Sequence, residues 1–100
     1  MSGAPQVSVV IPVYNEEAVL PLLFDRLYPA LDELGRAYEV IFVNDGSRDA
    51  TERVILAAAA QRNDISLVNL SRNFGKEAAL IAGLTHATGD AVIPLDVDLQ

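Results

Sequence analysis

Asp96, Asp98 and Gln100 stand two residues apart at the end of an apolar run, Ile93-Pro94-Leu95. In an extended segment side chains alternate between faces, so these three oxygen-bearing groups share one side. Such a set suits a hard divalent cation, which takes oxygen ligands and usually keeps several waters. It equally suits a solvated acidic turn after a strand, and a bare Asp-x-Asp does not separate the two. What separates them is where the rest of the chain places the acidic stretch.

The chain alternates apolar runs with amphipathic ones. Val7 to Val13 is β-branched with little polar alternation, as in a strand buried on both faces. Pro12 has no amide hydrogen to give a ladder, so the strand is expected to fray there. Leu20, Leu23, Phe24, Leu27, Leu31 and Leu34 then make one stripe at helical spacing. Pro21 fits a first helical turn, Pro29 predicts a kink or break, and Gly35 ends the helix. A second strand, Glu39 to Val43, runs into the turn cluster Asn44-Asp45-Gly46-Ser47. Asp49 and Glu52 have capping-box spacing before a helix that runs through Ala57 to Ala60, and Arg62-Asn63-Asp64 breaks it. Ile65 to Leu70 is the third strand, followed by the polar loop Ser71 to Lys76. A third helix covers about Glu77 to Thr88, with Gly89 as its stop, and Ala91 to Leu95 is the fourth strand.

This β-α-β-α-β-α-β order argues for an α/β fold with a parallel sheet. Right-handed crossovers favour the strand order 3-2-1-4, a Rossmann-like arrangement with the first two helices on one face and the third on the other. Ligands of such sheets bind beyond the carboxyl ends of the strands, where the winding reverses. That crevice receives Pro12 to Glu16 and Asp96 to Gln100, with Asp45 one strand over.

Composition removes other classes. The 100 residues suit one domain, with residues 1–6 as a short polar tail and 7–100 as the folded part. A net charge of −7 opposes nonspecific nucleic-acid binding, which needs basic residues to displace counterions. Without cysteine there is neither a disulfide framework nor a thiolate zinc site. No apolar run reaches the ~20 residues of a membrane helix, and the first residues carry no signal-type leader. The loop after the first strand lacks the G-x-G-x-x-G of a dinucleotide site, and no P-loop occurs.

Four segments, in order, carry a resemblance: Val9 to Glu17, Val43 to Thr51, Arg72 to Leu80, and Asp96 to Gln100. Together they resemble the start of family-2 glycosyltransferases of the GT-A fold, in the branch that transfers sugars to polyprenyl phosphates. The resemblance implies a nucleotide-diphosphate sugar donor, UDP- or GDP-linked, and a polyprenyl-phosphate acceptor, with inversion at the anomeric carbon. It places Pro12, Tyr14 and Glu16 beside the base and ribose and has Asp45 bond one of them. Lys76 would meet the diphosphate, and Asp96, Asp98 and Gln100 would hold Mg²⁺ or Mn²⁺ against it. No general base stands out. The resemblance further implies a longer enzyme at the cytoplasmic face of a membrane, with room for a homo-oligomer, of which these residues are the donor-binding part and inactive alone. Two other readings stay open: a relative acting on a glycan or protein acceptor, and a non-catalytic α/β module that binds a nucleotide or partner.

Overall fold

The computed structural model describes residues 4–97. Its elements are β1 (Val7–Val13), α1 (Leu20–Asp32), β2 (Tyr38–Asn44), α2 (Thr51–Ala59), β3 (Ile65–Asn69), α3 (Lys76–His86) and β4 (Ala91–Pro94). The four strands form a parallel sheet in the order β3-β2-β1-β4, as the alternation of elements implied. Register pairs Val7 with Tyr38 and with Ala91, so β1 is the centre from which the sheet grows in both directions.

The two faces of β1 and β2 bury different helices, because alternate residues point to opposite sides. Val9, Ile11 and Val13 join Val40 and Phe42 against Leu20, Leu23, Leu27 and Leu31 of α1 and Ile55 of α2. Val10, Ile41 and Val43 meet Ala79 of α3 on the other face. There α3 comes in at Gly83, where a Cβ would lie 2.3 Å from Val10 Cγ1. At the sheet's other end, β4 has all four residues exposed.

Four expectations are corrected. β1 does not fray at Pro12, which pairs in register with Val43 and is buried. Ala91 and Leu95 donate to the carbonyls of Gln6 and Val10, so the even positions of β1 face β4. The β1–β4 pairing stops at Val10 and Pro94, so the amide hydrogen Pro12 lacks is missing where no ladder needs it. Pro29 does not break α1, which runs on to Asp32; Pro21 sits in the first turn as expected, and Gly35 follows the helix at φ 66°. Pro29 forfeits the one bond its amide would give the Asp25 carbonyl, and α1 continues past it through Ala30, Leu31 and Asp32. Gly89 is not the stop of α3, which ends at His86 when Ala87 turns extended at ψ 136°. Gly89 instead lies against β1, where a Cβ would be 2.8 Å from Ser8 Oγ. The Asp49–Glu52 capping box does not form: α2 begins after Ala50 with no side-chain cap, and Glu52 accepts a bond from Asn69 Nδ2 at 3.1 Å.

Candidate functional site

β1, β2 and β4 deliver their carboxyl ends to one side of the sheet, and the amino end of α3 comes to the same place. Between them lies a cavity of about 320 Å³. Pro12, Tyr14 and Glu16 line it from the end of β1, Asp45 from β2, Lys76 from α3 and Asp96 from beyond β4. These six are the site residues that the sequence singled out among the described residues. Asp98 and Gln100 lie outside the described residues.

The local geometry follows from turn chemistry. Asn15 takes φ 53°, the left-handed region that asparagine tolerates better than most residues. That turn aims Tyr14 outward, 43% exposed, while Asn15 stitches the β1 exit to the β2 exit. Its amide donates to Ser47 Oγ at 2.9 Å, and its Oδ1 accepts the Arg48 amide at 2.8 Å. The Glu16 amide donates to the buried Thr51 hydroxyl at 2.8 Å, and that hydroxyl donates to Asp49 at 2.5 Å. Burial works against charge on Asp49, but hydrogen bonds from the Thr51 hydroxyl, the Thr51 amide and the Glu17 amide outweigh it and hold its carboxyl below the usual range. Asp49 therefore ties the loop after β1 to the start of α2.

Asp45 is only 4% exposed, and both carboxylate oxygens are engaged. Oδ1 accepts the Phe74 amide at 2.8 Å and Oδ2 the Gly75 amide at 3.1 Å. On the cavity wall the Lys76 ammonium forms an ion pair with the Asp96 carboxylate. The amino end of α3, with amides unmatched inside the helix, and the Lys76 charge together favour an anionic ligand at this wall. For a divalent cation, Asp96 is a hard oxygen donor on the cavity wall, as such an ion requires. Among the described residues no three His, Cys, Asp or Glu side chains gather as a metal cluster.

Asn73 and Gly75 also line the cavity, roles that the sequence reading did not assign. Asn73 Nδ2 donates to the Asp45 carbonyl at 3.2 Å, and a polar residue ahead of a helix was the one available signal. A second hollow of about 570 Å³ shares Tyr14 and Asn73 and adds Arg48 and Arg72, whose guanidinium lies 4.7 Å from the Phe74 ring centroid.

Fold and cavity together define a doubly wound parallel α/β protein with a cavity at the point where the winding reverses. The chain belongs to glycosyl transferase family 2, whose sequence pattern matches residues 8–100. It is 53% identical over 95 residues to an uncharacterized glycosyltransferase of Synechocystis sp., covering 95% of this chain and 30% of that protein. It is 54% identical over 96 residues to an undecaprenyl-phosphate 4-deoxy-4-formamido-L-arabinose transferase of Pseudomonas aeruginosa, covering 94% of this chain and 28% of the relative. A bactoprenol glucosyl transferase of Shigella phage SfX is 47% identical over 95% of this chain and 31% of its own length. The chain thus spans about 30% of the length of these relatives. Among solved structures, the mannosyltransferase PcManGT of Pyrobaculum calidifontis, in complex with GDP-Man and Mn²⁺, superposes with a TM-score of 0.80 at 31% identity, covering 97% of this chain and 28% of that one. Glucosyl-3-phosphoglycerate synthase of Mycobacterium tuberculosis, in complex with UDP, gives 0.73 at 30% identity over 96% of this chain and 35% of its own.

Proposed function

We propose that the chain is the donor-binding part of an enzyme that transfers a sugar from a nucleotide diphosphate to a polyprenyl phosphate. The meeting of Tyr14, Asp45, Lys76 and Asp96 around one cavity carries this reading. Relatives named for bactoprenol and undecaprenyl phosphate support the acceptor class.

In this reading Tyr14 and Pro12 offer the base a ring and an apolar wall. Glu16 and Asp45 accept hydrogen bonds from base or ribose. Lys76 and the amino end of α3 bind the diphosphate. Asp96, with Asp98 and Gln100, would hold Mg²⁺ or Mn²⁺; when bound, the cation supplies Lewis-acid neutralisation of charge on the departing diphosphate. Lys76 adds a second positive charge to the same oxygens. A phosphate acceptor is already anionic near neutral pH, so the reaction asks little of a general base. Inversion follows from a single displacement opposite the leaving diphosphate.

No helix among the described residues is long and apolar enough to cross a membrane. Acceptor binding and attachment to the cytoplasmic face of a membrane belong, in this proposal, to further residues of a longer protein, and residues 1–100 alone transfer no sugar. The test is transfer by the intact protein from UDP- and GDP-sugars, with polyprenyl phosphate, a glycan and a peptide as competing acceptors. Sugar on the lipid phosphate, abolished by a chelator, supports the proposal. Sugar only on the glycan or peptide moves the acceptor class, and no transfer at all favours a binding module.

A further inference from the structure

Asp45 has an arrangement that a ligand contact alone does not account for. Its carboxylate reaches 29 and 30 residues along the chain to the amides of Phe74 and Gly75. Those amides stand just ahead of α3, whose N-cap residue is Gly75 and which has no side-chain cap of its own. Asn73 Nδ2 adds bonds to the Asp45 carbonyl at 3.2 Å and to Oδ2 at 3.4 Å. The Asp45 amide is itself fixed to the Val13 carbonyl at 2.9 Å, so the clamp is rooted in the central strand.

The next residue reports the same closeness independently. A Cβ on Gly46 would sit 2.4 Å from both Arg72 C and Asn73 N, and Gly46 has φ 77°, so only glycine lets the two backbones meet. The turn after β2 and the loop before α3 are thus pressed together and hydrogen-bonded at the base of the cavity. Lys76 is the first residue of α3, directly after Gly75, and its ammonium meets Asp96.

We infer that Asp45 is a positioning residue: it clamps the Asn73–Gly75 loop and thereby sets where Lys76 presents its charge to the donor diphosphate. The inference rests on the diphosphate reading of Lys76 and deepens it, since it gives Asp45 a task beyond any contact with base or ribose. Asp45→Asn keeps the side chain's shape but replaces one acceptor with an NH₂ group facing a main-chain N–H, so the clamp opens.

The experiment is a double-mutant cycle on the intact protein, with affinities for UDP and GDP in the presence of Mn²⁺ measured by calorimetry. Asp45→Asn and Lys76→Ala are each expected to weaken binding about tenfold, and the double variant by clearly less than the ~hundredfold of independent losses, because the clamp and the Lys76 charge act as one interaction while a base or ribose contact of Asp45 adds separately. Amide exchange at Phe74 and Gly75 is expected to quicken in D45N while that of Val9 and Phe42 stays unchanged. Asp45→Glu, which keeps both acceptor oxygens, is expected to recover part of the loss. Losses that multiply, or unchanged exchange at Phe74 and Gly75, overturn the clamp and leave the diphosphate reading standing. A wild type that binds neither nucleotide overturns both. Should D45N fail to fold, Asn73→Ala is crossed with K76A in the same way, and the same outcomes decide.

Discussion

Lys76 and Asp96 meet on the cavity wall as an ion pair, joining the start of α3 to the segment after β4. Both side chains are well exposed, 61% and 47%, so the pair contributes only about 0–1 kcal/mol to stability. Its value is positional. Lys76→Met is therefore expected to shift the thermal midpoint by no more than about 4–8 °C while weakening nucleoside-diphosphate binding about tenfold or more. Scanning calorimetry and binding on the same samples check both halves, and a large midpoint shift with unchanged affinity would make Lys76 a structural residue.

The packing of α3 on the sheet depends on one missing side chain. Gly83 is buried, and a Cβ there would lie 2.3 Å from Val10 Cγ1 and 3.0 Å from Val43 Cγ2. Valine is stiff at χ1, so neither methyl can turn away cheaply. Gly83→Ala is expected to destabilise the fold by about 1–3 kcal/mol despite alanine's better helix propensity. Denaturant unfolding measures it, and a neutral or stabilising result would show that α3 sits farther from β1.

Glu39 ties the loop after α3 to the amino ends of β1 and β2. Its Oε2 accepts from Ser8 Oγ at 2.6 Å, the Thr88 amide at 2.8 Å and Thr88 Oγ1 at 2.9 Å. Burial opposes the charge, but the Ser8 and Thr88 hydrogen bonds outweigh it and hold the carboxyl below the ordinary glutamate value. A carboxyl with a lowered folded-state value stabilises fully above the unfolded value of about 4.3 and loses that contribution as pH falls through the folded one. Glu39→Gln is expected to cost about 1–2 kcal/mol at neutral pH and to flatten the decline in stability between about pH 5 and 3. Parallel acid unfolding of the two proteins settles it, and curves that run parallel throughout that range would remove Glu39 from the account.

At the alkaline end the group to watch is Tyr38. Burial, then its hydrogen bond to Asp32 at 2.7 Å, raise its ordinary value of 10.0 to about 12, although nearby Arg62 pulls the other way. An acid whose folded-state value is raised stabilises fully below the unfolded value, and the contribution is lost as pH rises from there through the folded one. Stability is thus expected to fall between about pH 10 and 12, and Tyr38→Phe to lessen the fall. Unfolding midpoints across that range test it; an identical decline in Y38F would assign the loss elsewhere.

Much of this architecture was legible from periodicity. The largely β-branched run at Val7 to Val13 marks a strand buried on both faces, and the leucine stripe of α1 buries one face, which its period identifies without knowledge of partners. Strand order followed because handedness leaves few ways to connect such elements. What remained hidden was long-range pairing. Nothing local to Asp45 announces that its oxygens are held by amides 29 and 30 residues on, and an Asp-Gly pair reads as turn chemistry. Arg62 was read only as a helix breaker, yet it lies 3.7 Å over the Tyr28 ring and binds Asp64 at 2.9 Å. Pro12 misled for the converse reason. A proline costs a ladder only where a partner carbonyl awaits its amide, and that depends on which neighbour the residue faces.

The central claim is a metal-assisted site for a nucleoside diphosphate walled by Lys76 and Asp96, and calorimetry tests it most directly. UDP and GDP are titrated into the intact protein with and without Mn²⁺, alongside Asp96→Ala. The account predicts that at least one nucleotide binds about tenfold or more tightly with Mn²⁺, and that Asp96→Ala erases the metal's contribution. Equal affinity with and without Mn²⁺, unchanged in Asp96→Ala, would contradict it.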